Sequence, residues 1–288
     1  MTPIQHAKRR AALAARIQRE FQVSWARVDS HAVRASWLAE LPRLLALLTA
    51  AQTVAAASAD TYVSDAVKSP TTRELVLGAF AHVASDGRSL ETLLQRPAVL
   101  TLRALQLGHP LDRALAAGRT SAELIGHTQV ADAGRVADMT ALAANPGAAG
   151  YVRILVGRTC ARCVVLAGRR YAWKADFKRH PRCDCTVVPT GEAVRGREPV
   201  SPQQAFREML PSEQDKIFGK AGADAIRQGA DISQVVNARS GMYSADGRLF
   251  TTAGGARRPR IMPEQIFRES GGDRAEAVRL LSLHGYIR

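Results

Sequence analysis

The chain gathers all four of its cysteines within 26 positions, although it is 288 residues long. Cys160 and Cys163 have C-x-x-C spacing, and the second group reads H-P-x-C-x-C, with candidate ligands at His180, Cys183 and Cys185. Structural zinc sites take four Cys or His ligands in a tetrahedral arrangement. The cluster therefore predicts one zinc ion held by Cys160, Cys163 and two of the other three side chains. Five candidates leave no need for an open catalytic position, so the zinc is expected to be structural.

Other uses of these residues remain open: a disulfide pair in the mature protein, unligated thiols, or a nucleophilic Cys-His pair. A protein made in a reducing cytoplasm favours metal ligands over disulfides. Residues 151–200 carry 11 Arg and Lys against 4 Asp and Glu. Metal binding would supply folding free energy to a segment so rich in like charge.

The positive charge of the whole chain indicates an anionic partner. Its formal net charge is +14, from 40 Lys and Arg against 26 Asp and Glu. A preference for Arg codons accounts for Arg over Lys, but it does not account for the excess of bases over acids. Nucleic acid is the commonest partner of such a surface. The residues expected to contact double-stranded DNA, without sequence preference, are Arg169, Arg170, Lys174, Lys178 and Arg179 beside the cysteines and Arg257, Arg258 and Arg260 further on.

The rest of the chain predicts a mainly α-helical protein with a small zinc-bound β module, an α+β fold. Aromatic residues make up only 5% of the sequence and alanine dominates its apolar content, which favours helices over strands. Two β-branched runs, YVRILV and CTVVP, flank the cysteine segment and predict two strands. The expected regions are a helical part at 1–149, the zinc-bound β module at 150–195, a helical segment at 196–236, a basic irregular arm at 237–262 and a C-terminal helix at 263–288.

Three local patterns give sharper expectations. Thr120 and Glu123 have capping-box spacing, which predicts the start of a helix that ends before Pro146. Trp25 and Trp37 fall on apolar helical faces and are expected in the core or at an interface. Trp173 lies in the cysteine loop, where it could stack on a base or cover the metal.

The sequence also argues against several functions. Its most apolar run, 44–59, is shorter than the roughly 20 residues of a membrane-spanning helix, so no membrane partner is expected. No G-x-S-x-G or Walker loop occurs, and the histidines outside the cysteine segment lack paired partners. The chain is therefore not expected to be an enzyme.

C-x-x-C followed by a loop and H-P-x-C-x-C resembles the phage Mu F-like head morphogenesis family, and 218–242 and 262–287 are similar to its actinobacterial-phage members. The resemblance implies a minor capsid protein of a tailed phage, present in few copies inside the capsid. It also implies association with the portal protein and with major capsid or scaffold proteins, after assembly in the host cytoplasm. Some members of this family act in DNA packaging or ejection.

Two rival functions are compatible with the same residues. One is a zinc-dependent DNA-binding protein of regulatory type, which would need an element that reads base edges. No convincing recognition helix is visible in the sequence. The other is a capsid maturation protease or zinc hydrolase, which would bind its metal through three ligands and keep an exchangeable water.

Overall fold

The computed structural model describes residues 1–156, 159–175, 185–191, 201–239, 242–245, 248–251, 260–271 and 273–287. The chain divides into two compact units. The first comprises Met1–Val156 and Arg170–Arg197, and the second comprises Gly157–Arg169 and Glu198–Arg288. Helices predominate and each unit holds a small antiparallel sheet, which confirms the α+β class.

The first unit is a helical body with a three-stranded sheet. The sheet has the order β2-β1-β3, and both pairings are antiparallel. β1 and β3 overlap the two β-branched runs that the sequence predicts as strands, YVRILV and CTVVP. The elements are α1 (Pro3–Trp25), α2 (Val33–Ala57), α3 (Ala59–Val67), α4 (Leu90–Leu94), α5 (Arg96–Gln106), α6 (Leu111–Ala144), β1 (Ala148–Ile154), β2 (Arg170–Ala172) and β3 (Thr186–Gly191), with a 3-10 turn at Leu77–Phe80.

In its described residues, the second unit contains short helices and a sheet of three short strands in the order β4-β5-β6. Its interior includes an edge-to-face pair, Phe206 and Phe218, with ring centroids 5.2 Å apart. The elements are α7 (Ala161–Val165), α8 (Pro202–Arg207), α9 (Pro211–Phe218), α10 (Lys220–Arg227), α11 (Ile232–Ala238), β4 (Met242–Ala245), β5 (Arg248–Thr251), β6 (Arg260–Ile261), α12 (Pro263–Glu269) and α13 (Arg274–Leu283).

Helix α1 begins at a capping box and buries one face against α6. Thr2 accepts the backbone N–H of Gln5, whose side chain in turn accepts the N–H of Thr2. Ile17, Phe21 and Trp25 recur at four-residue steps and are buried. The indole N–H of Trp25 donates to the Leu115 carbonyl at 3.1 Å, so its one polar atom is satisfied in the core.

Three glycines of α6 allow α1 to approach closely. A Cβ on Gly118 would lie 2.2 Å from the Trp25 ring, and one on Gly126 would lie 2.8 Å from Phe21. At Gly134 the same atom would meet the side chain of Arg10 at 2.7 Å. Because these contacts are shorter than any van der Waals separation, side chains of α1 occupy the space that glycine leaves on α6.

A buried polar cluster lies beneath α1. The Asp138 carboxylate of α6 is fully buried, accepts from His6 Nε2 at 3.1 Å and pairs with the Arg10 guanidinium. The His6 ring stacks on Tyr62 of α3 with centroids 3.8 Å apart. The Tyr62 hydroxyl donates to the Val187 carbonyl of β3 at 2.6 Å. The cluster therefore joins α1, α3, α6 and the sheet.

The stretch from Val33 to Val67 is long and apolar enough to cross a membrane by length and composition alone, a test that core helices of soluble proteins also pass. In the first unit its buried side contributes Trp37, Leu44 and Leu48 to the core. The indole N–H of Trp37 donates to the Leu94 carbonyl at 2.7 Å, so Trp37 lies in the core as predicted.

The predicted start of α6 is wrong. The helix begins at Leu111, directly after Pro110, and Thr120 lies inside it with its hydroxyl donating to the Ala116 carbonyl at 2.9 Å. Residues 111–119 favour helix, and buried Ala114 and Gly118 lie among them, so packing extends the helix beyond the capping signal. The end at Ala144, before Pro146, agrees with the sequence.

The segments assigned to an irregular arm and a single C-terminal helix contain more regular structure. Within 237–262, the strands β4, β5 and β6 pair antiparallel, and Ala245 pairs with Arg248. The Asp246-Gly247 dipeptide between them favours a two-residue hairpin connection. Within 263–288 there are two helices, because Gly271 has φ 58 and Asp273 caps the second by accepting the N–H of Ala275.

Gly118→Ala should lower the free energy of unfolding by about 1–3 kcal/mol, since the added methyl group overlaps Trp25 and Thr101. Gly78→Ala is the control, because a Cβ there meets nothing within 4 Å, and it should change stability by less than about 0.5 kcal/mol. Urea unfolding of both variants measures the difference. Equal urea midpoints for the two variants would show that the packing of α1 does not depend on the absence of a side chain at Gly118.

The unfolding free energy should also decrease as the pH falls below about 6.5, the ordinary pKa of histidine. Burial lowers the pKa of His6, and this effect exceeds the opposing influence of Asp138. The unfolded chain therefore takes up a proton that folded His6 does not, which favours unfolding at acid pH. His6→Gln keeps a donor for Asp138 and should weaken this dependence of the unfolding free energy below pH 6.5. The same slope in both proteins would assign the effect to another group.

Candidate metal centre and basic segments

Cys160 and Cys163 face one another at the start of α7 in the second unit. Cys160 is the N-cap residue with extended backbone angles, and Cys163 follows within the helix and is buried. Their sulfur atoms are 3.6 Å apart, too far for a disulfide bond of about 2.05 Å between them. Helix α7 packs against α8 and α11, which fix its position in the unit.

The spacing of these two sulfurs fits a shared zinc ion. Zinc–thiolate bonds of about 2.3 Å in tetrahedral geometry place two sulfur ligands about 3.8 Å apart. The observed 3.6 Å is close to this value. Cys160 and Cys163 therefore match half of a tetrahedral ligand set.

Cys185 lies in the first unit, at the entry to β3, and is 2% exposed. Its carbonyl accepts a hydrogen bond from Arg135 Nε of α6 at 3.2 Å. The same guanidinium contacts the Asp132 carboxylate at 3.3 Å, and both side chains are buried. A charged pair within α6 thus anchors the backbone of this candidate ligand.

His180 and Cys183 lie outside the described residues. Among the residues whose placement is described, no three His, Cys, Asp or Glu side chains are grouped so that they could hold a metal ion. The zinc ion and its four ligands therefore stay a prediction.

The basic residues predicted to meet DNA fall into three sets. Arg169, in the second unit, and Arg170 and Lys174, in the first, have exposed side chains. Arg260 lies in β6, but only its backbone is described. Outside the described residues lie Lys178, Arg179, Arg257 and Arg258.

A tight turn after β2 presents Trp173 and Lys174 to solvent. The Ala175 N–H donates to the Ala172 carbonyl at 2.9 Å, and the Tyr151 hydroxyl donates to the Ala175 carbonyl at 3.2 Å. Trp173 is 47% exposed, so much of its ring is available for stacking. The turn places an aromatic side chain next to a cation, a combination that suits nucleic acid.

The sequence-based predictions did not include Arg135 and Asp132. The sequence did contain a signal for this buried pair. Asp132 and Arg135 are opposite charges three residues apart, and the predicted helix around them is rich in alanine and valine. Such a pair on a surface is worth little, but the same pair on a buried face must satisfy its hydrogen bonds within the protein. The carbonyl of Cys185 provides one of those bonds.

Comparison with family models gives one match, to the family described as VG15 protein, over residues 4–211. The matched range begins in α1, includes the whole cysteine segment and ends at the first residue of α9. No curated protein and no solved structure matches the chain.

Protein purified under reducing conditions should contain about one zinc per chain by elemental analysis, since a structural site of four ligands binds one ion. Cys160→Ser with Cys163→Ser should remove most of it, because serine oxygen replaces both thiolates. Ala161→Ser, between the two cysteines, keeps both ligands and should retain the zinc. Chelation should lower the melting temperature of the wild type. Metal-free protein that folds equally well in chelator would contradict the site.

Proposed function

The chain belongs to the VG15 protein family, a family of phage-associated viral gene proteins, and from this premise we propose that it is a minor capsid protein acting in phage head morphogenesis. In this role it lies inside the capsid and associates with the portal. Its contribution is structural and does not involve catalysis.

The observation that carries the proposal is the coincidence of two features in one stretch of chain. The family match spans residues 4–211, and within it lies the C-x-x-C and H-P-x-C-x-C arrangement that resembles the Mu F-like head proteins. The 3.6 Å separation of the Cys160 and Cys163 sulfurs supports a metal-binding use of that arrangement. These features together favour the Mu F-like type of head protein.

Zinc would serve this protein as a structural cross-link. Cys160, Cys163 and two of His180, Cys183 and Cys185 would hold the ion. When bound, it would supply folding free energy to a segment with an excess of positive charge. The hydrogen bond from Arg135 to the Cys185 carbonyl would hold the backbone of this candidate ligand in place.

Contact with packaged DNA would use exposed cations and would not depend on sequence. Arg169, Arg170 and Lys174 are exposed, and Trp173 stands beside Lys174 on a turn held by hydrogen bonds. Together with the net charge of +14, they favour binding through phosphates. Phosphate contacts position a protein on DNA without reading its bases.

The partners that follow from this role are the portal protein, major capsid or scaffold proteins, and the double-stranded genome. Assembly would take place in the host cytoplasm, and the mature location would be the interior of the virion. A membrane is not among the proposed partners.

Co-expression with the portal protein of the same phage tests this function. The tagged portal ring should retain the chain through purification at 300 mM salt, where exposed charge–charge attraction is largely screened. A small basic protein of similar net charge serves as the control and should be washed away. Purified virions should also contain the chain in a form that resists external protease until the capsid is opened.

Two results would contradict the proposal. One is a portal ring that retains the chain no better than it retains the basic control protein. The other is a chain that is abundant in infected cells but missing from purified virions.

A further inference from the structure

Helix α1 distributes its charges unevenly between the inside and the outside of the first unit. The first 19 residues of the chain contain five cations and no carboxylate, since the first acidic residue is Glu20. Arg10 turns inward to pair with buried Asp138. The other four cations are exposed and form what we name the α1 basic face: Lys8, Arg9, Arg16 and Arg19.

The α1 basic face is a compact strip. At 3.6 residues per turn, its four positions fall within an arc of about 100°, opposite the arc that buries Ile17 and Phe21. From Lys8 to Arg19 the strip runs about 16 Å along the helix axis. This length corresponds to about five phosphates along one strand of duplex DNA.

Within the part of the chain that the structure describes, no carboxylate pairs with these four charges. Lys8, Arg9, Arg16 and Arg19 make no ion pair with any described residue. Carboxylates close to α1 are used by other groups: Glu20 pairs with Arg43 at 3.0 Å, and Asp65 pairs with the N-terminal amine at 3.0 Å. The strip therefore presents its full charge to solvent.

The placement of these charges does not serve the stability of the helix. The helix dipole favours acids in the first turn and bases in the last, whereas α1 has neither. Lys8 and Arg9 instead lie in its N-terminal half. Arg16 and Arg19 are like charges three residues apart, a spacing that is mildly destabilising. The solvent-facing side of an amphipathic helix is expected to carry charged residues, but that alone does not explain why all four have the same sign, whereas binding of an anion does.

We propose that the α1 basic face binds the phosphate backbone of double-stranded DNA. Besides the cations, the exposed residues between Lys8 and Arg19 are two alanines, at positions 11 and 12. Protein interfaces centre on large apolar or aromatic anchors, and the exposed positions between Lys8 and Arg19 include none. Alanine offers no hydrogen bond to a base edge, and cations that contact phosphates do not read the bases, so we expect no sequence preference.

The underside of α1 supports this use. His6 and Arg10 bind Asp138, and Gly134 leaves the space that Arg10 occupies, so the helix is held firmly against α6. Cations displayed on a fixed helix lose less conformational entropy on binding than cations on a mobile segment. This inference rests on the proposed function, which includes contact with DNA. It adds α1 as a DNA-binding element, besides the arm and the cysteine loop.

The test compares the salt dependence of duplex binding for the full chain and its variants. The α1 variant carries Lys8→Gln, Arg9→Gln, Arg16→Gln and Arg19→Gln. The matched control loses the same charge from exposed positions elsewhere in the first unit: Arg34→Gln, Arg96→Gln, Arg103→Gln and Arg113→Gln. The arm variant carries Arg257→Ala, Arg258→Ala and Arg260→Ala. A labelled duplex of mixed sequence is titrated between 50 and 200 mM salt.

If all four cations contact phosphates, the α1 variant should reduce the slope of log K against log salt by about 3.6 units. Over this salt range the affinity of the wild type should then fall about 150-fold more than that of the variant. The matched control should change the slope much less. The melting temperature of the α1 variant should stay equal or rise, because like-charge repulsion is relieved.

Each outcome separates this inference from the proposed function. Equal slopes of log K against log salt in the α1 variant and the matched control would overturn the α1 site. A reduced slope in the arm variant alone would do the same, but it would support the DNA contact of the proposed function. A reduced slope in the α1 variant alone would support the inference and remove the arm from the contact. Wild-type protein that binds no duplex at 50 mM salt would overturn both DNA contacts, while portal retention and the virion test still decide the head assignment.

Discussion

The buried carboxylate of Asp138 is the interaction on which the first unit depends. An unpaired charge in this position would be strongly destabilising, so the fold must bring partners to it. It draws them from α1, 132 residues away in sequence, through His6, and Arg10 adds a second contact. Tyr62 extends the cluster to β3. The glycines of α6 leave space for particular side chains of α1, and so they also determine how the two helices align. The polar cluster and the close packing therefore favour the same alignment of α1 and α6.

Much of the fold could be predicted because it depends on short-range patterns. The four-residue steps of Ile17, Phe21 and Trp25 and the β-branched runs around the cysteines are such patterns, and the structure contains the corresponding helix and strands. The start of α6 was mispredicted because tertiary packing of residues 111–119 outweighed the Thr120 capping signal. The hairpin of β4 and β5 was missed although Asp246-Gly247 is a turn signal, because the surrounding glycines and arginines suggested an irregular segment.

In the candidate site, too, local features could be predicted from the sequence and long-range contacts could not. Spacing alone predicted Cys160 and Cys163 as candidate ligands, because two cysteines three residues apart are a local feature of the sequence. The Arg135 anchor of Cys185 joins residues 50 positions apart, and nothing in the local sequence of either residue indicates the other. The same holds for the charges of α1: the sequence shows five cations, but only the fold separates Arg10, which is used inside, from the four on the surface.

The chain passes from the first unit to the second and back again, and this affects both its synthesis and the fragments that can fold. The chain leaves the first unit after Val156, contributes 157–169 to the second, and returns at Arg170 before leaving again. A fragment ending at Val156 would lack β2 and β3, and both edges of β1 would lose their hydrogen-bonded neighbours. On a ribosome the first unit is complete only once Arg197 has emerged, and by then residues 157–169 of the second unit have already been made. The two units are thus consecutive neither in sequence nor in synthesis, and no single cut of the chain yields both of them intact.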